Sequence, residues 1–363
     1  MFKLLKYLVL LFLLVAVAGG VGASMFWNRL HEPFKGYVGD ERFVDIPAGA
    51  STGEIGRRLI DAGVIADETV FRLALWWSGE ARSLKAGEYR FDRALTPLDA
   101  IGTLARGEVY ARRLTFPEGL TIAEMAKIYE SREFGTAAAF VTAAGNAALI
   151  RDLDPAARDL EGYLFPETYS LPRGTAAARL IALMVDRFRA NYPEDLRARA
   201  EAQGFSTRQA VTLASLVEKE TGQAQERPVV AAVYRNRLKI GMPMQADPTV
   251  VFALARAGRY DGNIRRDDLA YDSPYNTYKY PGLPPGPIAA PGKASLDAVL
   301  SPADVSYLYF VSRNDGSHVF ATTLAEHNRN VQRFQIEYFR EQRRNQGEGG
   351  RGRGGRAVSG GRR

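Results

Sequence analysis

Residues 209–220 (QAVTLASLVEKE) hold the side chains whose spacing is best placed for chemistry. Val211, Ala214, Ser215 and Glu218 recur at helical spacing, which puts Glu218 on a mostly apolar stripe; Leu213, Leu216, Val217 and Glu220 form an adjoining one. A carboxyl group held against apolar neighbours is disfavoured as an anion, so its pKa rises. A glutamic acid that stays protonated near neutral pH can then donate to a leaving oxygen. Either glutamate could equally close the apolar face of an ordinary helix, and spacing does not choose between 218 and 220.

Further polar residues stand where apolar ones would be expected. Asn236 follows Val229 and Val233 along ERPVVAAVYRNRL, where it could also be a surface residue before Arg237. Gln245, Asp247 and Thr249 lie in MPMQADPTVVF, and Tyr275, Asn276 and Thr277 precede a Pro/Gly run. Amide, carboxylate and hydroxyl groups mixed with aromatic rings suit a sugar, which offers hydroxyls to bond and C–H faces to stack on. The same residue types also populate ordinary turns.

The elements that must position these groups are legible in outline, and the fold class they predict is α+β. Residues 7–27 run without a charge, long enough for a helix across the ~30 Å bilayer core. Lys3 and Lys6 precede this segment and hold the N-terminus in the cytoplasm. Small residues at 19–24 leave a cleaved signal as the competing reading; continuation of the apolar run to Trp27 favours an anchor. Residues 28–42 read as a polar linker. An internal repeat follows, Pro47-Ala48-Gly49-Ala50-Ser51-Thr52-Gly53-Glu54 returning as Pro117-Glu118-Gly119-Leu120-Thr121-Ile122-Ala123-Glu124. Each copy follows a short strand pattern and supplies a hydroxyl with Glu three positions on, the signature of a capped helix start. Residues 43–131 are therefore expected to form one small α+β region.

Within the first copy, Gly49-Ala50-Ser51-Thr52-Gly53 matches a G-x-S-x-G nucleophile elbow. The second copy keeps the hydroxyl and loses the last glycine, so capping, not a nucleophilic serine, is what the two share. From 132 to 343 the pattern is mainly helical, broken by a loop at 160–169 and a long Pro/Gly-rich loop expected over 241–292. A hairpin is predicted at 306–321, turning at Asn314-Asp315-Gly316, with a last helix over 323–343. Beyond it, the Gly/Arg run 344–363 has too few apolar residues to order itself.

Composition excludes several functions. The 363 residues are 46% hydrophobic and 25% charged, enough for two or three domains. The net charge of +7 is concentrated outside the body: residues 340–363 carry eight Arg against two Glu, and Lys3 and Lys6 add two more. The nearly neutral remainder offers no basic groove for nucleic acid. Cysteine is absent and only His31, His318 and His327 are present, so neither thiolate chemistry nor a metal centre is indicated and no cofactor is expected.

The stretch LASLVEKETGQAQERPVVAAVYRNRLKIGMPMQADPTVVFAL, with SPYNTYKYPGLPPGPIAAPG, YLYFVSRNDGSHVF and LEGYLFPETY, closely resembles the endolytic murein transglycosylase (YceG-like) family over roughly residues 155–335. The resemblance implies an N-terminal transmembrane helix (1–27), a linker (28–42), a LysM-like region (43–131) and a mainly helical catalytic domain (132–343) with a β-hairpin. It implies cleavage of the MurNAc–GlcNAc bond within peptidoglycan strands to 1,6-anhydro-MurNAc ends, terminating or trimming nascent strands. Glu218 is then the catalytic residue, with Gln245, Asp247, Thr249 and Asn276 in motifs expected to line the cleft; Asn236, Tyr275 and Thr277 join them as substrate-binding candidates by residue type and position. The partners implied are glycan strands, the inner membrane through the single-pass helix, and the cell-wall synthesis machinery, with the catalytic domain in the periplasm. One carboxyl suffices for that chemistry, because the sugar's own C6 hydroxyl attacks C1, whereas most glycosidases need two. A hydrolytic muramidase using Asp247 to assist a water, or a scaffold that binds peptidoglycan without cutting it, are the alternatives.

Overall fold

The computed structural model describes residues 2–172 and 174–351. They divide into two compact units: the residues up to Leu114 with Tyr169–Thr175, and Thr115–Thr168 with the residues from Ala176 onward.

The first unit begins with α1 (Phe2–His31), followed by β1 (Arg42–Ile46), α2 (Thr52–Asp61), α3 (Glu68–Ser78), β2 (Gly87–Phe91), α4 (Pro97–Arg106) and β3 (Ala111–Thr115). β1 and β2 pair antiparallel with Val44 opposite Tyr89, and β3 pairs with β4 (Thr168–Pro172). Period-2 alternation turns Val44, Ile46, Tyr89 and Phe91 inward onto Ile55, Leu59, Phe71, Ile101 and Leu104. Each such side chain contributes about 1.5–3 kcal/mol by leaving water. Asp67 and Thr96 cap α3 and α4, the latter in a full capping box with Asp99 and with Pro97 in the first turn. Ser51 is a cap as well, its Oγ accepting from the Glu54 N–H.

In α1, residues Leu10–His31 are long and apolar enough to cross a membrane (mean hydropathy 2.1), a property shared by anchors and signal sequences. The expected linker 28–42 is instead docked onto this unit. Leu30 is fully buried in its core, Phe34 bridges Leu95, and the Tyr37 hydroxyl donates to the Phe91 carbonyl.

The second unit holds α5 (Ile122–Ser131), α6 (Ala137–Ala144), α7 (Ala177–Asn191), α8 (Glu194–Ala202), α9 (Thr207–Glu220), α10 (Arg227–Lys239), α11 (Asp247–Arg256) and α12 (Lys293–Leu300). The hairpin β5 (Tyr309–Ser312) and β6 (His318–Ala321) comes next, then α13 (Leu324–Val331), a π-helical turn over Gln332–Glu337, and α14 (Tyr338–Arg351). α9 is the hub, packed against α8, α10, α11 and α12. Every residue from Ala210 to Val217 is buried, so it is not an amphipathic helix with an apolar stripe but a helix enclosed all round.

Three expectations change here. The span 241–292 is not one long loop: it contains α11, started by Pro248 in the first turn and carried by Thr249, Val250, Phe252, Ala253 and Leu254. The last helix runs on to Arg351, and 352–363 lie outside the described residues. The second repeat copy belongs to this unit and not to the first. Gly119 N–H donates to the Ala290 carbonyl and Ala290 N–H to the Leu120 carbonyl, which fastens the turn beside α9. Thr121 and Glu124 form the complete capping box, whereas Glu54 of the first copy pairs with Arg58.

Candidate active site

The two glutamates at the end of α9 occupy different surroundings. Glu218 is of intermediate exposure as a whole residue, with its side chain 5% exposed. Its Oε1 accepts from Arg227 at 3.1 Å, and its Oε2 accepts from the Gly292 N–H at 2.9 Å and the Ser295 hydroxyl at 2.7 Å. Arg227 also lies 3.6 Å from Glu118, whose carboxyl is pushed up by burial and by the Glu218 charge against the pull of Arg227. The packing is close: a Cβ on Gly292 would lie 1.8 Å from Glu118 Oε1. Both oxygens of Glu218 are thus held by protein donors.

Glu220 has the same intermediate exposure as Glu218 when whole residues are compared, and only one of its oxygens has a hydrogen-bond partner among the described residues: Oε1 accepts from the buried Tyr234 hydroxyl at 2.6 Å. Burial pushes its pKa from 4.5 to about 7. The Tyr234 hydrogen bond opposes that rise, the Asp247 charge adds to it, and His318 and Arg237 oppose it. This is the desolvated, half-protonated carboxyl that the apolar helix pattern led one to look for.

Loops brace the groups around it. Asp247 opens α11, is exposed, and its Oδ1 accepts from the Tyr278 hydroxyl at 2.5 Å. Gln245 is exposed on a left-handed backbone (φ 49°) with its N–H on the Thr277 carbonyl; such strain in a residue other than glycine collects at functional sites. Arg237 is buried and donates to the carbonyls of Leu308 and Met244, tying the hairpin approach to the Gln245 turn. Glu226 takes the His318 N–H at 2.8 Å and stands 2.7 Å from its Nδ1, while Thr221 donates to it.

The remaining residues named from sequence are mostly supports. Thr249 and Thr277 are buried, 2.9 Å apart through their hydroxyls, and lock the 244–249 turn to the 275–278 loop. Asn276 is fully buried, donating to the carbonyls of Leu269 and Tyr271 and accepting from Tyr278 N–H. Asn236 donates to the carbonyls of Val305 and Tyr307. Tyr275 packs on Phe252 and beside Arg256 and lines a separate cavity of about 430 Å³ with Glu161, Tyr163 and Arg208. Gln245 and Asp247 are thus the exposed members of the set, and Asp247 is within electrostatic reach of Glu220. Tyr278 stands in the same run as Tyr275, Asn276 and Thr277, whereas Tyr234 carries no signal in the sequence beyond being a tyrosine on the buried face of α10. Among the described residues no three His, Cys, Asp or Glu side chains converge as a metal site requires.

The arrangement is a mainly helical domain presenting one desolvated carboxyl beside a second carboxylate, and its sequence falls in a known group. The YceG-like family model matches residues 44–333, and the chain belongs to that family. The endolytic murein transglycosylase of Bacillus subtilis (strain 168) is 33% identical over 330 residues, covering 86% of this chain and 90% of the relative. The protein of that name from Streptococcus pneumoniae serotype 2 is 30% identical over 318 residues; the match covers 79% of this chain but 57% of that longer protein. The crystal structure of a YceG-like protein from Listeria monocytogenes superposes with a TM-score of 0.56 at 31% identity, covering 80% of this chain and 98% of that one.

Proposed function

We propose that this chain is an endolytic lytic transglycosylase that cuts the MurNAc–GlcNAc bond within peptidoglycan strands, with Glu220 as its acid/base. Family membership supports the reaction class. The observation that carries the residue assignment is the contrast in hydrogen bonding at the end of α9: only Oε1 of Glu220 has a partner among the described residues, whereas both oxygens of Glu218 are held by Arg227, Gly292 and Ser295. The resemblance points to Glu218, and the geometry favours its neighbour two positions on. Glu218 then serves to hold Arg227 and to fasten the start of α12 through Gly292 and Ser295.

In this reading Tyr234 fixes Oε1 and leaves Oε2 facing the glycan. Protonated Glu220 gives its proton to the glycosidic oxygen as the bond from C1 breaks. The resulting carboxylate then takes the proton of the muramic C6 hydroxyl as that oxygen bonds to C1, closing the 1,6-anhydro ring. No water is consumed, and the intramolecular attack gains from proximity. In this reading Asp247, steadied by Tyr278, offsets positive charge developing at C1. The membrane-anchor reading of α1 is supported by its apolar side chains from Leu10 to Val21, which the protein leaves exposed. A glycan-positioning, LysM-like role for the part of 43–131 that lies in the first unit is supported by the strand–helix–helix–strand order of β1, α2, α3 and β2. Terminating or trimming nascent strands at the inner membrane would follow from an anchored, outward-facing enzyme.

Mass spectrometry of products from purified glycan strands tests the reaction. Ends lighter by one water than a reducing sugar, generated inside long strands, are expected. Free reducing ends would mean a hydrolase, with Asp247 directing a water.

A further inference from the structure

All three tryptophans of the chain gather at one end of the first unit. Trp27 lies near the end of the apolar segment of α1, half exposed, and its ring meets Trp77 of α3 edge-on with centroids 6.1 Å apart. Trp76 is 76% exposed and Trp77 54%, and Leu73, one turn earlier on α3, is 39% exposed. The opposite side of α3 is spent on the core, where Val70, Phe71, Ala74 and Leu75 are buried. Arg72 is exposed on the same outward side. In water this face would leave two indole rings and a leucine uncovered next to one another, which a soluble surface seldom does.

The occupant is set by depth. The 22 residues Leu10–His31 rise about 33 Å at 1.5 Å each, slightly more than the ~30 Å hydrocarbon core. Trp27, about 6 Å before the end, therefore falls at the boundary between acyl chains and headgroups. Trp77 touches it and shares its depth, and Leu73 and Trp76 extend the same face along α3. Indole rings have an apolar body and an N–H that seeks a polar partner, so they settle at that boundary. Arg72 can extend its stem and bring the guanidinium to lipid phosphates. Leu30, buried in the unit's core only three residues past Trp27, ties the unit rigidly to the end of α1.

We infer that the outward face of α3, Leu73, Trp76 and Trp77 with Arg72, lies in the headgroup region of the lipid bilayer that α1 crosses. It seats the first unit on the membrane surface as a second, interfacial contact. The inference rests on α1 being a membrane span, and the test separates the two.

Full-length protein is reconstituted in phosphatidylcholine/phosphatidylglycerol vesicles as two single-tryptophan forms, W27F/W77F (retaining Trp76) and W76F/W77F (retaining Trp27). Fluorescence is read with and without lipids brominated just below the headgroup. Both tryptophans should be quenched roughly twofold, as for indoles at the interface. Quenching of Trp27 with none of Trp76 leaves the span intact and overturns the docking of α3. A blue-shifted Trp76 that ignores brominated lipid means that protein covers the face, and also overturns it. If neither is quenched and alkaline washing strips the protein from the vesicles, the span itself fails, and the docking with it.

Discussion

Replacing Glu220 by Gln retains an acceptor for the Tyr234 hydroxyl and removes the titrating proton. With a pKa of about 7, half of the Glu220 side chains are protonated at pH 7. A carboxyl left at 4.5 would be protonated in roughly one molecule in 300, so the setting of Glu220 multiplies the available acid about 150-fold. Removing the proton altogether should cost ~10²–10⁴-fold in strand cleavage, the usual contribution of a general acid/base, with the melting temperature little lowered. Glu218→Gln should behave in the opposite way. It breaks the buried pair with Arg227 and turns an amide N–H₂ toward the donors at Gly292 and Ser295, a loss of about 3–5 kcal/mol of stability. Turnover per folded molecule should fall far less. The wild-type rate should decline as pH rises through about 7, because the acid form is the one consumed. In Tyr234→Phe that limb should move to higher pH, since the lost hydrogen bond had lowered the Glu220 pKa. Digestion of purified glycan strands, followed by chromatography across pH 5–9 on variants of verified fold, measures all of this. A folded Glu218→Gln enzyme that is dead, beside an active Glu220→Gln, would refute the assignment, and an unmoved limb in Tyr234→Phe would refute the electrostatic account of it.

Glu161, raised to about 8 by burial despite accepting the Ile122 N–H, should make the fold lose stability as pH rises from about 4.5 through 8; thermal melts of Glu161→Gln should show a flatter dependence over that window. Thr121→Ala and Ser51→Ala should each cost ~0.5–2 kcal/mol, Thr121 the more because it anchors a reciprocal box. Ser51→Ala should leave turnover intact, and loss of turnover at unchanged melting temperature would revive the nucleophile reading. Gly292→Ala should displace Glu118 and lower the melting temperature, because the new methyl meets the carboxylate at 1.8 Å; an unchanged melt would show that Glu118 swings away freely. Sequencing of the mature N-terminus should find α1 attached, and a start between Gly19 and Ser24 would instead mark a cleaved signal.

Periodicity and local hydrogen-bonding chemistry are properties of short segments, and these the sequence by itself determined: the apolar α1, the capped starts at Ser51 and Thr121, the hairpin within 306–321, and the helix ending in two glutamates. It also offered Glu218 and Glu220 as the candidates for the catalytic carboxyl. The proposed choice of Glu220 rests on partners distant in the chain. Gly292 and Ser295 close over Glu218 from more than seventy residues away, and Tyr234 and Asp247 reach Glu220 from α10 and α11. For the same reason Asn236, Thr249, Asn276 and Thr277 look like sugar ligands in the sequence and turn out to brace loops. An amide or hydroxyl is equally suited to a glycan and to an orphan backbone carbonyl, and only the tertiary fold decides which of the two it faces.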